Sequence, residues 1–312
     1  MSFSGLEYEK WQMDRFIDSN FIILRGPRLS GKSYFVREYF RESGKLYMII
    51  DAFEAWMEKD SWAHRAIVED AKKSFSIGKP VGSVIEYNIL PMWEFDNFYD
   101  LFMSLPDGTY VIIDHAEYLH RVRKDDVDVL TVFQEFIDKG MFHFVFVPRS
   151  TTRLIEFLGP NNPKSPLFSR YEKYVDVVTL SPSESVRFIN DKCKDVDYNV
   201  YKITGGLRGA LTLYMESGCD RQSFEERIRK IVIRDLMPKG KKMGRKLVEL
   251  FDIISKETRI HGYAEKEQLV NKYGFQRNHV DDFIEKLLTM GYVEYLDKNM
   301  IKTVEPFAFF NK

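Results

Sequence analysis

One octapeptide constrains this chain more than any other feature: Gly26-Pro27-Arg28-Leu29-Ser30-Gly31-Lys32-Ser33. It fits G-x-x-x-x-G-K-[ST] at every defined position and follows the apolar run Phe21-Ile22-Ile23-Leu24. A short continuous apolar run is the pattern of a buried parallel strand, and a helical pattern covers Lys32 to Arg41. Strand, glycine turn and helix in that order is the context the motif requires. The glycines let backbone N–H groups curl around phosphate oxygens, and the helix adds its N-terminal dipole. Lys32 brings a point charge to β- and γ-phosphates, and Ser33 brings a hydroxyl to Mg2+. The expected cofactors are therefore ATP and Mg2+, cradled by Gly26, Pro27, Arg28, Leu29, Ser30, Gly31, Lys32 and Ser33. A second metal ligand is expected at the end of another buried strand. Tyr110-Val111-Ile112-Ile113-Asp114 supplies it, about 80 residues after the loop.

The remaining pattern predicts how the chain is organised. A helix is expected over Leu6 to Asp18, with Trp11, Met13, Phe16 and Ile17 as apolar candidates. Further strands are expected at Leu46 to Ile50, His143 to Val147 and Tyr174 to Leu180, with an amphipathic helix at Val127 to Lys139. Between Phe53 and Leu105 helical patterns dominate, at Glu54 to Phe75 and Phe95 to Ser104, with a weak strand or loop at Ser83 to Ile89. Strands alternating with helices imply a parallel sheet covered on both faces. After Ser181 the strands stop. Ser181 reads as a helix cap, Pro182 as the first helical position and Glu184 as the capping-box partner. Helices run to about Met237, and Pro238-Lys239-Gly240 punctuates the chain. Helical patterns at Gly244 to Lys256, Glu265 to Tyr273 and Gln276 to Met290 follow, then a hairpin of Tyr292 to Leu296 and Met300 to Val304. Three helices and a hairpin is the pattern of a winged helix-turn-helix. The predicted domains are 1–180, 181–238 and 239–312.

Composition excludes several classes. Lys plus Arg number 46 against 47 Asp plus Glu, so the chain is no uniformly basic nucleic-acid coat. Two cysteines, Cys193 and Cys219, exclude a disulfide framework and a Cys-rich zinc site, and unclustered cysteines suit a reducing cytoplasm. No run approaches the roughly 18 apolar residues of a membrane span, and no signal peptide is visible in Met1 to Lys10. The expected location is the cytoplasm.

Four motifs in order carry a resemblance. The loop reads Gly26-Pro27-Arg28-Leu29-Ser30-Gly31-Lys32-Ser33, and the third apolar strand ends Asp114-His115-Ala116-Glu117-Tyr118-Leu119. Ser165-Pro166-Leu167-Phe168-Ser169-Arg170 precedes the last strand, and Thr204-Gly205-Gly206-Leu207-Arg208-Gly209 lies in the helical region. The chain resembles the archaeal-type AAA+ ATPases, which sit near the signal-transduction NTPases with numerous domains. The resemblance covers nearly all 312 residues. It implies an α/β P-loop AAA+ fold: a five-stranded parallel sheet, a helical lid and a C-terminal winged helix-turn-helix.

The resemblance also implies site residues, and here the chain departs from the pattern. The family places a water-polarising Glu directly after the metal-binding Asp, where this chain has His115. A neutral imidazole can accept a proton, and Glu117, two residues on, could substitute. Arg149 or Ser150, after the fourth strand, is expected as the polar sensor of the γ-phosphate. Arg170 resembles an arginine finger acting on a neighbour's nucleotide in a homo-oligomer. Arg208 could reach the nucleotide of its own chain. Two functional readings stay open: a slow Mg2+-dependent ATPase that drives a conformational change, and a nucleotide-gated switch that scarcely turns over.

A partner is the last expectation. From Arg221 to Lys246 there are ten basic residues against three acidic ones, centred on Lys239-Gly240-Lys241-Lys242. Such a cluster could contact DNA phosphates without reading bases. Gln276-Arg277-Asn278-His279, at the start of the third C-terminal helix, could enter a major groove, but Asp281, Asp282 and Glu285 would repel the backbone. Duplex DNA and a protein partner both remain candidates for the winged helix; a membrane does not.

Overall fold

The computed structural model describes residues 6–52, 98–103, 105–121, 123–124, 127–158, 163, 165, 173–194, 199–237, 243–304 and 306–309. The helix expected at 54–75, the strand or loop at 83–89, the boundary at 238–240 and most of the 165–170 motif lie outside them, whereas the helix expected at 95–104 is described over 98–103. The chain divides into two compact units. One comprises Met1–Gly26 and Lys32–Val177; the other comprises Pro27–Gly31 and Val178–Lys312.

The first unit is built on a five-stranded parallel sheet. Its strands are β1 (Phe21–Arg25), β2 (Tyr47–Asp51), β3 (Tyr110–Asp114), β4 (His143–Val147) and β5 (Lys173–Asp176), in the order β2-β3-β4-β1-β5. Side chains alternate across the strands because the pleat repeats every two residues. Phe21, Ile23, Met48, Ile50, Val111, Ile113, Phe144 and Phe146 enter one core. Ile22, Leu24, Tyr47, Ile49, Tyr110, Ile112, Val145 and Val147 enter another. Apolar residues on both faces are why these strands read as continuous runs rather than alternating ones.

Helices cover both faces. On one side, α3 (Phe98–Met103) and α4 (Val129–Lys139) bring Phe102, Phe133 and Phe136 into the first core, edge against face with Phe144 for Phe102 and Phe133. On the other, α2 (Lys32–Ser43) contributes Phe35, Val36, Tyr39 and Phe40, and α1 (Glu7–Phe16) contributes Met13. Trp11 does not join them. It is 55% exposed, stacked on Tyr8, so its apolar character misleads a reading of which face of α1 is buried. The strand expected at 174–180 stops at Asp176, which accepts a two-pronged contact from Arg25 at 2.6 and 2.7 Å.

The second unit is helical from α6 (Pro182–Ile189) through α7 (Asn199–Thr204), α8 (Arg208–Glu216) and α9 (Arg221–Leu236), with α5 (Thr151–Leu158) belonging to the first. The capping box forms as the sequence predicts: Glu184 N–H donates to Ser181 Oγ, and the Glu184 carboxylate accepts from Ser181 N–H. Next come α10 (Met243–His261), α11 (Lys266–Asn271) and α12 (Arg277–Thr289). A small antiparallel sheet joins β6 (Ala264–Glu265), β7 (Val293–Tyr295) and β8 (Met300–Thr303) in the order β6-β8-β7. The hairpin was legible; the two-residue β6 was too short to give a pattern. Val280, Phe283, Ile284, Leu287 and Leu288 of α12 pack into one core with Leu250, Phe251 and Ile254 of α10.

The cysteines are not unclustered. Cys193, after α6, and Cys219, after α8, form a disulfide with Cα atoms 5.6 Å apart, although 26 residues separate them in sequence. The helical fold brings them together, which spacing alone could not reveal. Among the described residues, no helix is long and apolar enough to cross a membrane.

Gly206 offers a direct test of this unit. Its φ is +68°, and an added Cβ would lie 2.2 Å from the Leu180 carbonyl oxygen. That carbonyl's residue also donates its N–H to Gly206 O at 2.9 Å. Gly206→Ala combines a left-handed backbone penalty with displacement of main chain, so we expect a loss of at least about 2 kcal/mol in urea unfolding. A loss below about 0.5 kcal/mol, the range of neutral surface changes, would contradict this packing.

Candidate functional site

The end of β1 leads into the glycine loop. Gly26, Leu29 and Gly31 have φ of 143°, 64° and 99°, so the chain turns through conformations that only glycine adopts freely. Lys32 is buried and donates from Nζ to the Gly26 carbonyl at 2.7 Å, folding the loop's charge over its own mouth. Gly26 N–H points to Thr151 Oγ1 at 3.4 Å. Ser33 Oγ lies 2.9 Å from Asp114 Oδ1, although 81 residues separate them. The parallel order β3-β4-β1 sets the strand ends that carry these groups on one edge of the sheet, where open α/β sheets bind ligands.

The Ser33–Asp114 pair bears on Mg2+. That ion demands octahedral geometry with oxygen ligands at 2.0–2.1 Å, and two ligands at right angles are then about 2.9 Å apart. The pair has this spacing, and its donor set, a hydroxyl and a carboxylate, suits a hard cation. Arg37 Nη2 stands 3.8 Å from Asp114 Oδ2. The residues fit the ion.

His115 is the distinctive feature. Its φ is +54°, uncommon for a residue with a side chain. Its N–H donates to Asp114 Oδ1 at 3.1 Å, and its Nδ1 is 2.8 Å from Asp51 Oδ1. Asp51 ends β2, directly opposite Asp114 in the sheet. The Asp51 carboxylate orients the ring, and in the tautomer that carries its proton at Nδ1 the acceptor nitrogen is Nε2. Asp51 is a residue that sequence reading missed. Only the pairing of β2 with β3 gives an ordinary strand-ending Asp this partner.

Glu117 takes a different place. It is 0% exposed, and its Oε2 accepts the Arg149 N–H at 2.9 Å. Burial pushes its carboxyl above the usual carboxylate range, with His115 acting in the opposite direction. This geometry ties the short 3-10 helix Ala116–Arg121 to the segment after β4. Glu117→Gln keeps an acceptor for that N–H. We expect it to leave any ATP turnover within about threefold, against the 10²–10⁴ typical of a lost acid–base group. A hundredfold loss would return the water-positioning role to Glu117.

Arg149 and Ser150 are half-buried after β4, and Ser150 O accepts the Leu154 N–H at the start of α5. Thr151, the neighbour, is the one whose hydroxyl meets Gly26, a placement the sequence reading did not anticipate. Arg170 lies outside the described residues.

Within the second unit, residues 27–31 of the loop meet the start of α8. Gly209 N–H donates to Leu29 O at 2.7 Å, and a Cβ on Gly31 would lie 3.5 Å from Arg208 Cβ. Arg208 is buried and donates to the Val178 carbonyl at 2.6 Å. A Cβ on Gly209 would lie 2.7 Å from Leu29 O, so only glycine permits this approach. Arg28 is also buried, donating to Asp235 Oδ2 and Met290 O, each at 2.7 Å.

The basic segment is more neutral in space than in sequence. Arg221 pairs with Glu225, Arg227 with Glu216, Lys230 with Glu226 and Arg234 with Asp235. Its centre, 239–242, lies outside the described residues. Gln276, Arg277, Asn278 and His279 are exposed around the start of α12, with Arg277 paired to Glu267.

No protein-family model matches the sequence, and no curated protein matches it. Among solved structures, the chain is similar to the Walker-type ATPase of Pyrococcus abyssi, with a TM-score of 0.71 and 17% identity over 97% of this chain and 94% of that one. The Aeropyrum pernix ORC1 protein in complex with DNA aligns with 98% of this chain and 91% of its own, at 15% identity and a TM-score of 0.49. The likeness to the Pyrococcus ATPase establishes the fold, an α/β architecture on a five-stranded parallel sheet shared along nearly the whole chain.

Proposed function

We propose that the protein binds ATP with Mg2+ at Gly26–Ser33 and Asp114 and hydrolyses it slowly to drive a conformational change. One observation carries this reading: the hydroxyl after the loop lysine and the carboxylate ending β3 stand 2.9 Å apart. In this reading the loop N–H groups and Lys32 hold the β- and γ-phosphates, and Ser33 and Asp114 hold the ion. Mg2+, when bound, neutralises charge on the phosphate oxygens. Asp51 orients His115, whose Nε2 accepts from the attacking water. Arg208 takes the role of the arginine acting in its own chain, and Ser150 or Arg149, with Thr151 beside them, that of the polar sensor. Arg170 keeps the role of a finger toward a second copy. The segments 181–238 and 239–312 serve as lid and winged helix.

The second reading, a nucleotide-gated switch with little turnover, is favoured by the same position. The residue directly after Asp114 is a histidine rather than a carboxylate, and Glu117 is buried. ATP turnover by the pure protein, with and without duplex DNA, tests both. Mg2+-dependent phosphate release supports the ATPase; nucleotide binding without release supports the switch.

A DNA partner remains part of the proposal, through the segment 221–246. Surface ion pairs of the kind on α9 are worth about 0–1 kcal/mol, so phosphates can displace them. Affinity for duplex should fall steeply with salt and depend little on sequence. Replacing Lys239, Lys241 and Lys242 with Gln should flatten the log–log salt slope by up to about 2.7, at about 0.9 per contact. Absence of duplex binding at low salt, with and without ATP, would favour a protein partner instead.

A further inference from the structure

Arg28 is a variable position of the loop motif, yet it is among the most constrained side chains of the second unit. Its guanidinium donates to the Asp235 carboxylate near the end of α9 and to the Met290 carbonyl just after α12. It stacks 4.2 Å from the centre of the Tyr292 ring and 5.5 Å from that of Phe307. Tyr292 is fully buried, and its hydroxyl donates to the same Asp235 Oδ2 at 2.8 Å. Segments from α9, from the turn after α12 and from the chain after β8 thus converge on one loop residue.

The next residue explains why this matters. Leu29 holds φ +64°, a conformation that side chains disfavour and that persists only where surroundings over-determine it. Its carbonyl is held by Gly209 N–H on one side, and Arg28 anchors the chain on the other. The peptide groups between Arg28 and Gly31 are those that the motif aims at phosphate oxygens.

We propose that Asp235 and Tyr292 are positioning residues of the nucleotide site. Acting through Arg28, they hold residues 27–31 in the arc that receives a triphosphate, and they link that arc to the turn after α12. This rests on the reading that the loop binds ATP. Linkage makes the effect reciprocal: what preorganises the arc for nucleotide must itself be steadied when nucleotide binds.

The test uses the full chain and ATP with Mg2+, titrated calorimetrically below the melting temperature of each variant. Asp235→Asn keeps the shape and removes the charge; Tyr292→Phe removes one oxygen. We expect ATP affinity to fall tenfold or more in the first and about threefold in the second. Arg28→Ala combined with Asp235→Asn should bind no more weakly than Arg28→Ala alone, because both remove one connection. In the wild type, ATP should slow amide hydrogen exchange at Met290, Gly291 and Tyr292 several-fold, and should not do so in Arg28→Ala.

Wild-type affinity in folded Asp235→Asn and Tyr292→Phe would overturn the inference, as would additive losses in the double variant. Tighter binding in Asp235→Asn would also overturn it, showing that the carboxylate withholds Arg28 from phosphate. If Asp235→Asn does not fold, Tyr292→Phe and the exchange experiment still decide, and unchanged exchange on adding ATP counts against the inference. Lys32→Ala separates the two levels. If it binds ATP as the wild type does, the nucleotide reading itself fails. If it loses ATP while Asp235→Asn and Tyr292→Phe retain it, only the positioning role fails.

Discussion

Lys32→Ala is expected to lose measurable binding of ATP–Mg2+, a fall of a hundredfold or more, while the chain stays folded. Lys32 is the cation that the motif aims at the β- and γ-phosphates, and its Nζ already sits on the Gly26 carbonyl. Removing it takes away the point charge on the β- and γ-phosphates and leaves the loop N–H dipoles to hold them with Mg2+. The side chain is buried at the first position of α2, beside a core of Phe35, Val36, Tyr39 and Phe40 that the substitution does not touch. Alanine is also the best helix former, so local structure should survive. A melting temperature near that of the wild type, with binding lost, is the expected pair of results. Wild-type affinity in the folded variant would remove the nucleotide from the account.

The second large effect separates Asp114 from its neighbour. Asp114→Ala should abolish Mg2+-dependent turnover, because it removes the carboxylate that meets Ser33 and accepts the His115 N–H. His115→Ala should cost less, in the range of 10²–10⁴ for a single acid–base group. His115→Glu restores the residue type expected after the metal-binding Asp and should raise turnover if the histidine has tuned it down. It also places a second carboxylate beside Asp51, where Nδ1 now stands. A large fall in His115→Glu would show that the Asp51–His115 pair has a role glutamate cannot fill. Steady-state phosphate release at saturating ATP and Mg2+ reads all three variants.

How much of this was legible before folding follows from the range of each interaction. The strands ending at Arg25, Asp114 and Val147 announced themselves, because burial on both faces leaves continuous apolar runs. The Ser181 cap was legible because its partner is three residues away. The loop was legible because the chemistry of phosphate binding fixes its spacing. Asp51 was not, since its meaning depends on β2 lying beside β3. Nor was the inward turn of Glu117, which is set by a partner after β4. The Cys193–Cys219 bridge and the Arg28–Asp235 pair join residues 26 and 207 positions apart. Trp11 shows the converse, an apolar candidate of the first helix that packs on Tyr8 at the surface.

Calorimetric titration of the wild-type chain with ATP, with Mg2+ and then with EDTA, tests the central claim most directly. The account predicts saturable binding of one ATP per chain that weakens at least tenfold when the metal is withheld. The absence of saturable binding at millimolar ATP with Mg2+ would contradict it.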